Sequence, residues 1–400
     1  MENKLFRFTD IFKETLWGGH RILPFKGLKA DERLIGESWE LSGIPGNESV
    51  VAGGAYDGMP LTQLAEKGGS ALLGEENFKR FGTRFPLLVK FIDAAQPLSV
   101  QVHPDDELAQ RRHGCPGKTE MWYVVDGAPG AYLLDGFSRQ VTADEYAARV
   151  ADQTLPEVLR RYDVRPGDVY YLPAGRVHSI GTGCFICEIQ QSSDVTYRIY
   201  DFGRVDSEGR PRQLHVEEAK EAIDYTVTEP ETRREIEANV PAELVKSPFF
   251  TTSAYRLTEP MTCDYADLDS FVILICTKGA CRVSCGEEEV KLTAGHTLLV
   301  SAEAENVTLV PEGETTNIGI IRVIQKPFLS YMNKISMKIF TVWAVAAMWF
   351  ATSCTSYKTV PYMINSAEVD LDSSAVLYEA RVMPKDELTI TVNCSKHATR

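Results

Sequence analysis

Four side chains of this sequence have the types and spacing to hold a divalent metal: Gln101, His103, Glu120 and His178. Read as a strand, residues 98–104 alternate so that Gln101 and His103 share one face and Val100 and Val102 the other. Pro104 has no N–H to give a ladder, so the strand should stop there and leave both polar side chains at a rigid rim. Glu120 falls on a second strand pattern, residues 117–125. Gly167, Pro173, Gly175 and His178 satisfy a Gly-x5-Pro-x-Gly-x2-His spacing, in which the glycines permit tight turns at the ends of a strand. Two imidazoles and a carboxylate are ordinary ligands of a first-row divalent metal. With neutral Gln101 the set sums to one negative charge, which leaves about one net positive charge on a bound Zn²⁺ to steady an oxyanion. Singly, each residue has a plainer role, as a hydrogen-bonded strand histidine or a carboxylate at a sheet edge. Their joint occurrence points to a metal.

The spacing around His178 resembles the second signature of cupins, and the elements around it fit that fold. Residues 85–93 form a nearly continuous apolar run with one lysine, whose length and flanking turns predict a buried strand. Further strands are predicted at 36–42, 168–172, 185–190 and 195–200. Residues 61–82 read as helical with an interruption at Gly68-Gly69, and residues 214–224 as an acidic helix. Apolar residues at helical spacing predict a small helical insert over 143–162, with Pro156 as a break. Pro230, Pro241 and Pro248 mark a linker, and residues 249–326 return to short, evenly spaced strands. The expected architecture is all-β: two cupin or jelly-roll domains, at 1–235 and 236–326, with an appended segment at 337–400. In the second domain, residues 294–301 resemble the start of the same signature, but Ser301 stands where Pro173 does and Asn306 where His178 does. His296 is expected to be exposed there, and no metal is expected.

The chain has 400 residues and a formal charge of −14, which argues against broad nucleic-acid binding. An anionic ligand would need a local cationic pocket. Nine irregularly spaced cysteines suit reduced thiols in a cytoplasmic protein better than a disulfide framework. Cys184-x-x-Cys187 has no second close pair, so a four-thiolate zinc site is disfavoured against buried strand cysteines. Met1-Glu2-Asn3-Lys4 leads into a mixed polar stretch and predicts no N-terminal leader.

Residues 101–106, 117–123 and 193–201, with Trp17-Gly18-Gly19 and Glu37-Ser38-Trp39-Glu40, resemble the type I mannose-6-phosphate isomerases in their short bacterial form. The resemblance covers about residues 1–326. It implies a zinc enzyme that interconverts mannose 6-phosphate and fructose 6-phosphate and so supplies mannose precursors for polysaccharide synthesis. It implies one Zn²⁺ on Gln101, His103, Glu120 and His178, an active-site arginine at Arg198 and a pocket lysine at Lys118. The reaction moves a proton between adjacent carbons. Glu188, on the strand after His178, and Lys118 are both candidates for that work, and each has an ion-pair role as its alternative. Arg198 could grip the phosphate or stabilise the intermediate.

Two other readings use the same residues. His103, Glu120 and His178 also spell the two-histidine, one-carboxylate set of a non-haem iron dioxygenase, which Gln101 as a fourth ligand disfavours. A metal-free sugar-binding regulator would keep ligand binding in His103→Ala and show no turnover.

Residues 337–400 depart from this pattern. The apolar run 339–351 is short for a membrane span and typical of a signal h-region, so no stable span is expected. Small residues precede Cys354 as at a lipoprotein cleavage site, with Ala351 where leucine is usual. Residues 378–392 resemble the beginning of a polysaccharide-export outer-membrane lipoprotein. This segment is a signal-like helix joined by fusion or a shifted frame, or else a helix packed on the second barrel or a peripheral membrane contact through Trp343, Trp349 and Phe350.

Overall fold

The computed structural model describes residues 1–205, 208–227, 236–312, 318–324, 378–382 and 388–392. The apolar run forms the strand Leu87–Asp93, buried at every position. It lies between Ile35–Leu41 and Cys184–Gln191, and burial on both faces is why it shows no polar alternation. Ile11–Gly19, Glu120–Gly127 and Val169–Leu172 complete a six-stranded antiparallel sheet. A five-stranded sheet opposes it, in the order Tyr197–Tyr200, Val100–Val102, His178–Ile180, Tyr132–Phe137, Leu159–Asp163. Ile92, Trp122, Val124 and Ile186 of the first sheet pack with Leu133 and Ile180 of the second in one apolar cluster between them.

A second pair of sheets follows. Six strands run in the order Leu5–Phe6, Thr297–Val300, Val272–Lys278, Ile318–Ile324, Thr251–Leu257, Ala242–Lys246, and four in the order Met261–Asp264, Asn306–Glu312, Ala280–Cys285, Glu288–Thr293. The N-terminal strand thus pairs with the second barrel, Leu5 opposite Val300. A large cluster joins the barrels: Phe91, Met121 and Ile189 from the first pack with Phe250, Phe271 and Ile273 from the second. Residues 1–331 form one compact unit. In the remainder, Tyr378–Val382 pairs antiparallel with Leu388–Val392, and the signal-like run 339–351 lies outside the described residues.

Three local expectations need correction. The insert is helical over Ala143–Ala151, capped by the Thr142 hydroxyl, and has a 3₁₀ turn at Leu155–Val158. Its last residues instead form the edge strand Leu159–Asp163, because Pro156 ends the helical pattern and an alternating buried–exposed run follows. Within the expected linker, Ala242–Lys246 is a strand: Leu244 and Val245 are buried, and Pro241 and Pro248 flank the strand without interrupting it. His296 is half-buried, its Nδ1 3.0 Å from the Thr293 hydroxyl. Among the described residues no helix is long and apolar enough to cross a membrane.

Candidate metal centre

Strand register assembles the centre. Gln101 lies opposite Arg198 on one side and His178 on the other, and His178 lies opposite Asp135. Arg198, Gln101, His178 and Asp135 therefore form one cross-strand row. On the facing sheet, Trp39, Lys90, Glu188, Trp122 and Tyr170 form a row, and Gln190, Glu120 and Leu172 the next. His103 follows the last strand residue, Val102, and its carbonyl accepts from the Gly175 N–H at 2.8 Å. That bond ties the segment of Gln101 and His103 to the turn that presents His178.

His103, Glu120 and His178 are buried, and their ligand atoms lie within 4.8 Å of one another. Among the described residues they are the one such cluster. His103 Nδ1 lies 2.8 Å from the Val195 carbonyl, and His178 Nδ1 2.8 Å from the Arg176 carbonyl. A carbonyl can only accept, so both Nδ1 atoms carry the proton and both Nε2 atoms carry a lone pair. Those lone pairs face the Glu120 carboxylate, at 3.5 Å from His103 and 3.3 Å from His178. Burial holds His103 well below the usual histidine range and His178 down at about 4, so neither ring supplies a positive charge. His103 Nε2 and both Glu120 oxygens have no hydrogen-bond partner. Lone pairs converging on a buried carboxylate are unfavourable unless a cation lies among them; Lys118 stands at the edge of the cluster, 3.4 Å from Glu120 Oε2, and the donor set between the rings suits Zn²⁺. The Gln101 amide nitrogen is 3.4 Å from His178 Nε2, and a half-turn of the amide brings its oxygen there.

Charged neighbours ring the cluster. Lys118, buried, places Nζ 3.4 Å from Glu120 Oε2. Burial and the Glu188 charge push Glu120 up to about 7 against the pull of Lys118 and Lys90. Glu188 is held by Lys90 Nζ at 3.0 Å and by the Trp122 indole N–H at 2.8 Å. Burial raises its carboxyl, but Lys90 and Lys118 outweigh that and keep it below its usual range. Arg198 is half-buried; its Nη1 donates to the Gln213 carbonyl at 3.1 Å and its Nε has no partner.

Sequence reasoning missed three groups here. Lys90 signalled itself only as a lone lysine in an apolar run. Arg204 and Arg212 both bind Asp201, each at 2.5 Å, beside Arg198. Four arginines between residues 198 and 212 of an acidic chain were the available sign. Asp135 binds Arg176 at 3.1 Å and so steadies the residue whose carbonyl orients His178; only the fold brings it there.

The chain is similar to known proteins over most of its length. Residues 5–129 match the profile described as phosphomannose isomerase type I, catalytic domain, and residues 242–320 that of the mannose-6-phosphate isomerase cupin domain. The chain is 35% identical over 297 residues to the mannose-6-phosphate isomerase ManA of Bacillus subtilis, covering 73% of this chain and 91% of that protein. It is 34% identical to the mannose-6-phosphate isomerase of Streptococcus mutans, covering 75% and 93%. The crystal structure of the Bacillus subtilis mannose 6-phosphate isomerase superposes with a TM-score of 0.69 at 29% identity, covering 80% of this chain and 99% of that one.

Proposed function

Because the chain belongs to the type I phosphomannose isomerase family, we propose that it interconverts mannose 6-phosphate and fructose 6-phosphate at this centre. Gln101, His103, Glu120 and His178 hold one Zn²⁺ in this reading. The observation that carries it is the pair of imidazole lone pairs turned onto one buried carboxylate, at 3.5 and 3.3 Å. When bound, the zinc supplies positive charge beside the sugar carbonyl, where negative charge develops as the neighbouring C–H proton leaves.

The chain's own residues divide the remaining work. Lys118 stands at the edge of the cluster and is assigned the proton transfer between adjacent carbons. Both Glu188 oxygens are engaged, by Lys90 and Trp122, so Glu188 is assigned a positioning role that holds the charged row in place. Arg198, Arg204 and Arg212 face the single carboxylate of Asp201, and the positive charge left over suits the 6-phosphate of the sugar. Catalysis is placed in residues 1–235, with 236–326 as a supporting barrel. A phosphorylated substrate and seven unpaired cysteines among the described residues suit the cytoplasm.

A coupled assay for fructose 6-phosphate formed from mannose 6-phosphate tests this. Turnover should vanish with a chelator and return with Zn²⁺. Turnover indifferent to the chelator and to His103→Ala contradicts it.

A further inference from the structure

Asp135 ends the cross-strand row Arg198, Gln101, His178, Asp135, and no step of the isomerisation uses it. It is fully buried on the inner face of its strand. Leu133 packs into the cluster inside the barrel and Leu134 into the one outside it. A bulge at Gly136, whose φ is +69°, then sends Phe137 to the outside as well. Asp135 is therefore the last inward side chain of Tyr132–Phe137.

Asp135 and Gly136 together grip the turn that carries His178. Asp135 Oδ1 accepts from Arg176 Nη1 at 3.1 Å, and the Gly136 N–H donates to the Val177 carbonyl at 2.8 Å. The Arg176 N–H donates to the Pro173 carbonyl at 3.1 Å. The carbonyl that accepts the His178 Nδ1 proton thus belongs to a residue fixed at its backbone nitrogen, at its side chain and through the residue that follows.

Stability alone is a poor reason to build this pair. The carboxylate is stripped of water, its Oδ2 has no hydrogen-bond partner, and the arginine it holds stays part exposed, so attraction recovers little of the desolvation cost. The second barrel has neither member. Ala304 stands two residues before Asn306, where Arg176 stands before His178. Ser284 lies opposite Thr308, and continuing that ladder by two residues brings Gly286 beside Asn306, where Asp135 stands beside His178. The pair occurs with the histidine and is missing with it.

We propose that Asp135 is a positioning residue for the metal: through Arg176 it fixes the carbonyl that holds the His178 ring, and so keeps Nε2 turned toward Glu120. This role rests on the reading of His103, Glu120 and His178 as zinc ligands. Asp135 itself touches neither metal nor sugar.

The zinc affinity of the stripped full chain, measured by competition with a chromogenic chelator, tests the role. Asp135→Asn removes the charge and keeps the shape; it should weaken zinc binding about tenfold or more, while the stripped chain melts no lower than the parent. Arg176→Ala should weaken binding to a similar degree, and the double variant should bind no more weakly than either single one, because both act through one contact. In the zinc-loaded variants the His178 Nδ1 proton should exchange with solvent faster than in the parent, as read by nuclear magnetic resonance. Zinc bound as tightly by both variants as by the parent would overturn the role. A melting temperature that falls in step with the affinity would make the pair a structural brace and overturn it too, as would losses that add in the double variant. A parent chain that binds no zinc would instead overturn the reading of the centre, and this role with it.

Discussion

In the first barrel Gly167 leads by a fixed spacing through Pro173 to His178; in the second, Gly295 leads by the same spacing through Ser301 to Asn306. The two glycines have nearly the same backbone, with φ of +89° and +83°. Beyond them the barrels diverge. His178 is buried among metal-binding groups, whereas Asn306 is exposed at the start of its strand. The first interior holds Lys90, His103, Lys118, Glu120, His178 and Glu188, all buried. The second holds Leu274, Cys276, Val283, Leu298 and Leu309. Gly295 serves another purpose, since its carbonyl accepts from the buried ammonium of Lys26, which also binds Glu40 at 2.7 Å and Asp10 at 2.9 Å. The same turn thus presents a candidate ligand in one barrel and anchors the other barrel to its neighbour. A buried charge costs several kcal/mol unless it is paired or bound to metal, and among the described residues most of the buried charges gather around the candidate metal centre of the first barrel.

The sharpest way to break this comparison is to exchange the two equivalent positions. His178→Ala should lower turnover on the order of 10³-fold or more and abolish zinc retention. Asn306→Ala should leave turnover within about twofold in the same coupled assay. Next come the interiors. Lys90→Met strands Glu188 and Glu37 without their cation and should cost about 3–5 kcal/mol in urea unfolding, together with turnover. Leu274→Ala should cost about 2–5 kcal/mol while turnover per folded molecule is unchanged.

Protonation sharpens the contrast further. Without metal, Glu120 titrates at about 7, above its ordinary 4.5, because burial disfavours its charge. The folded protein therefore binds the extra proton between those values, and the stability that proton brings is lost as pH rises through 7. His178, depressed from 6.5 to about 4 by burial, acts oppositely and loses stability as pH falls through that window. Zinc binding requires ionised Glu120, so uptake by stripped protein at pH 6 should release about one proton, falling toward none above pH 8. Titration in buffers of different ionisation enthalpy measures that release. The smallest effect separates the glycines. Both Gly→Ala changes strain a positive φ, but a Cβ at Gly295 meets Lys26 Cγ at 2.7 Å and one at Gly167 meets nothing within 4 Å. Gly295→Ala should therefore be the less stable by about 1 kcal/mol or more.

How much of this could be read from the chain depended on how local each signal was. The buried strand around Phe91, the turn signature at His178 and the alternation that places Gln101 beside His103 are carried by neighbouring residues, and the fold follows them. The edge strand Leu159–Asp163 was hidden because five residues after a helix break look like the helix continuing. Lys90 and the Asp135–Arg176 pair were invisible as site residues, since their relation to Glu188 and His178 exists only through strand register.

The most direct measurement is anomalous scattering at the zinc edge from a crystal of the zinc-loaded chain. One peak per chain is expected, about 2.0–2.2 Å from His103 Nε2, His178 Nε2 and a Glu120 oxygen, with a Gln101 oxygen turned toward it. A peak elsewhere, or a fully active crystal with none, would contradict the account.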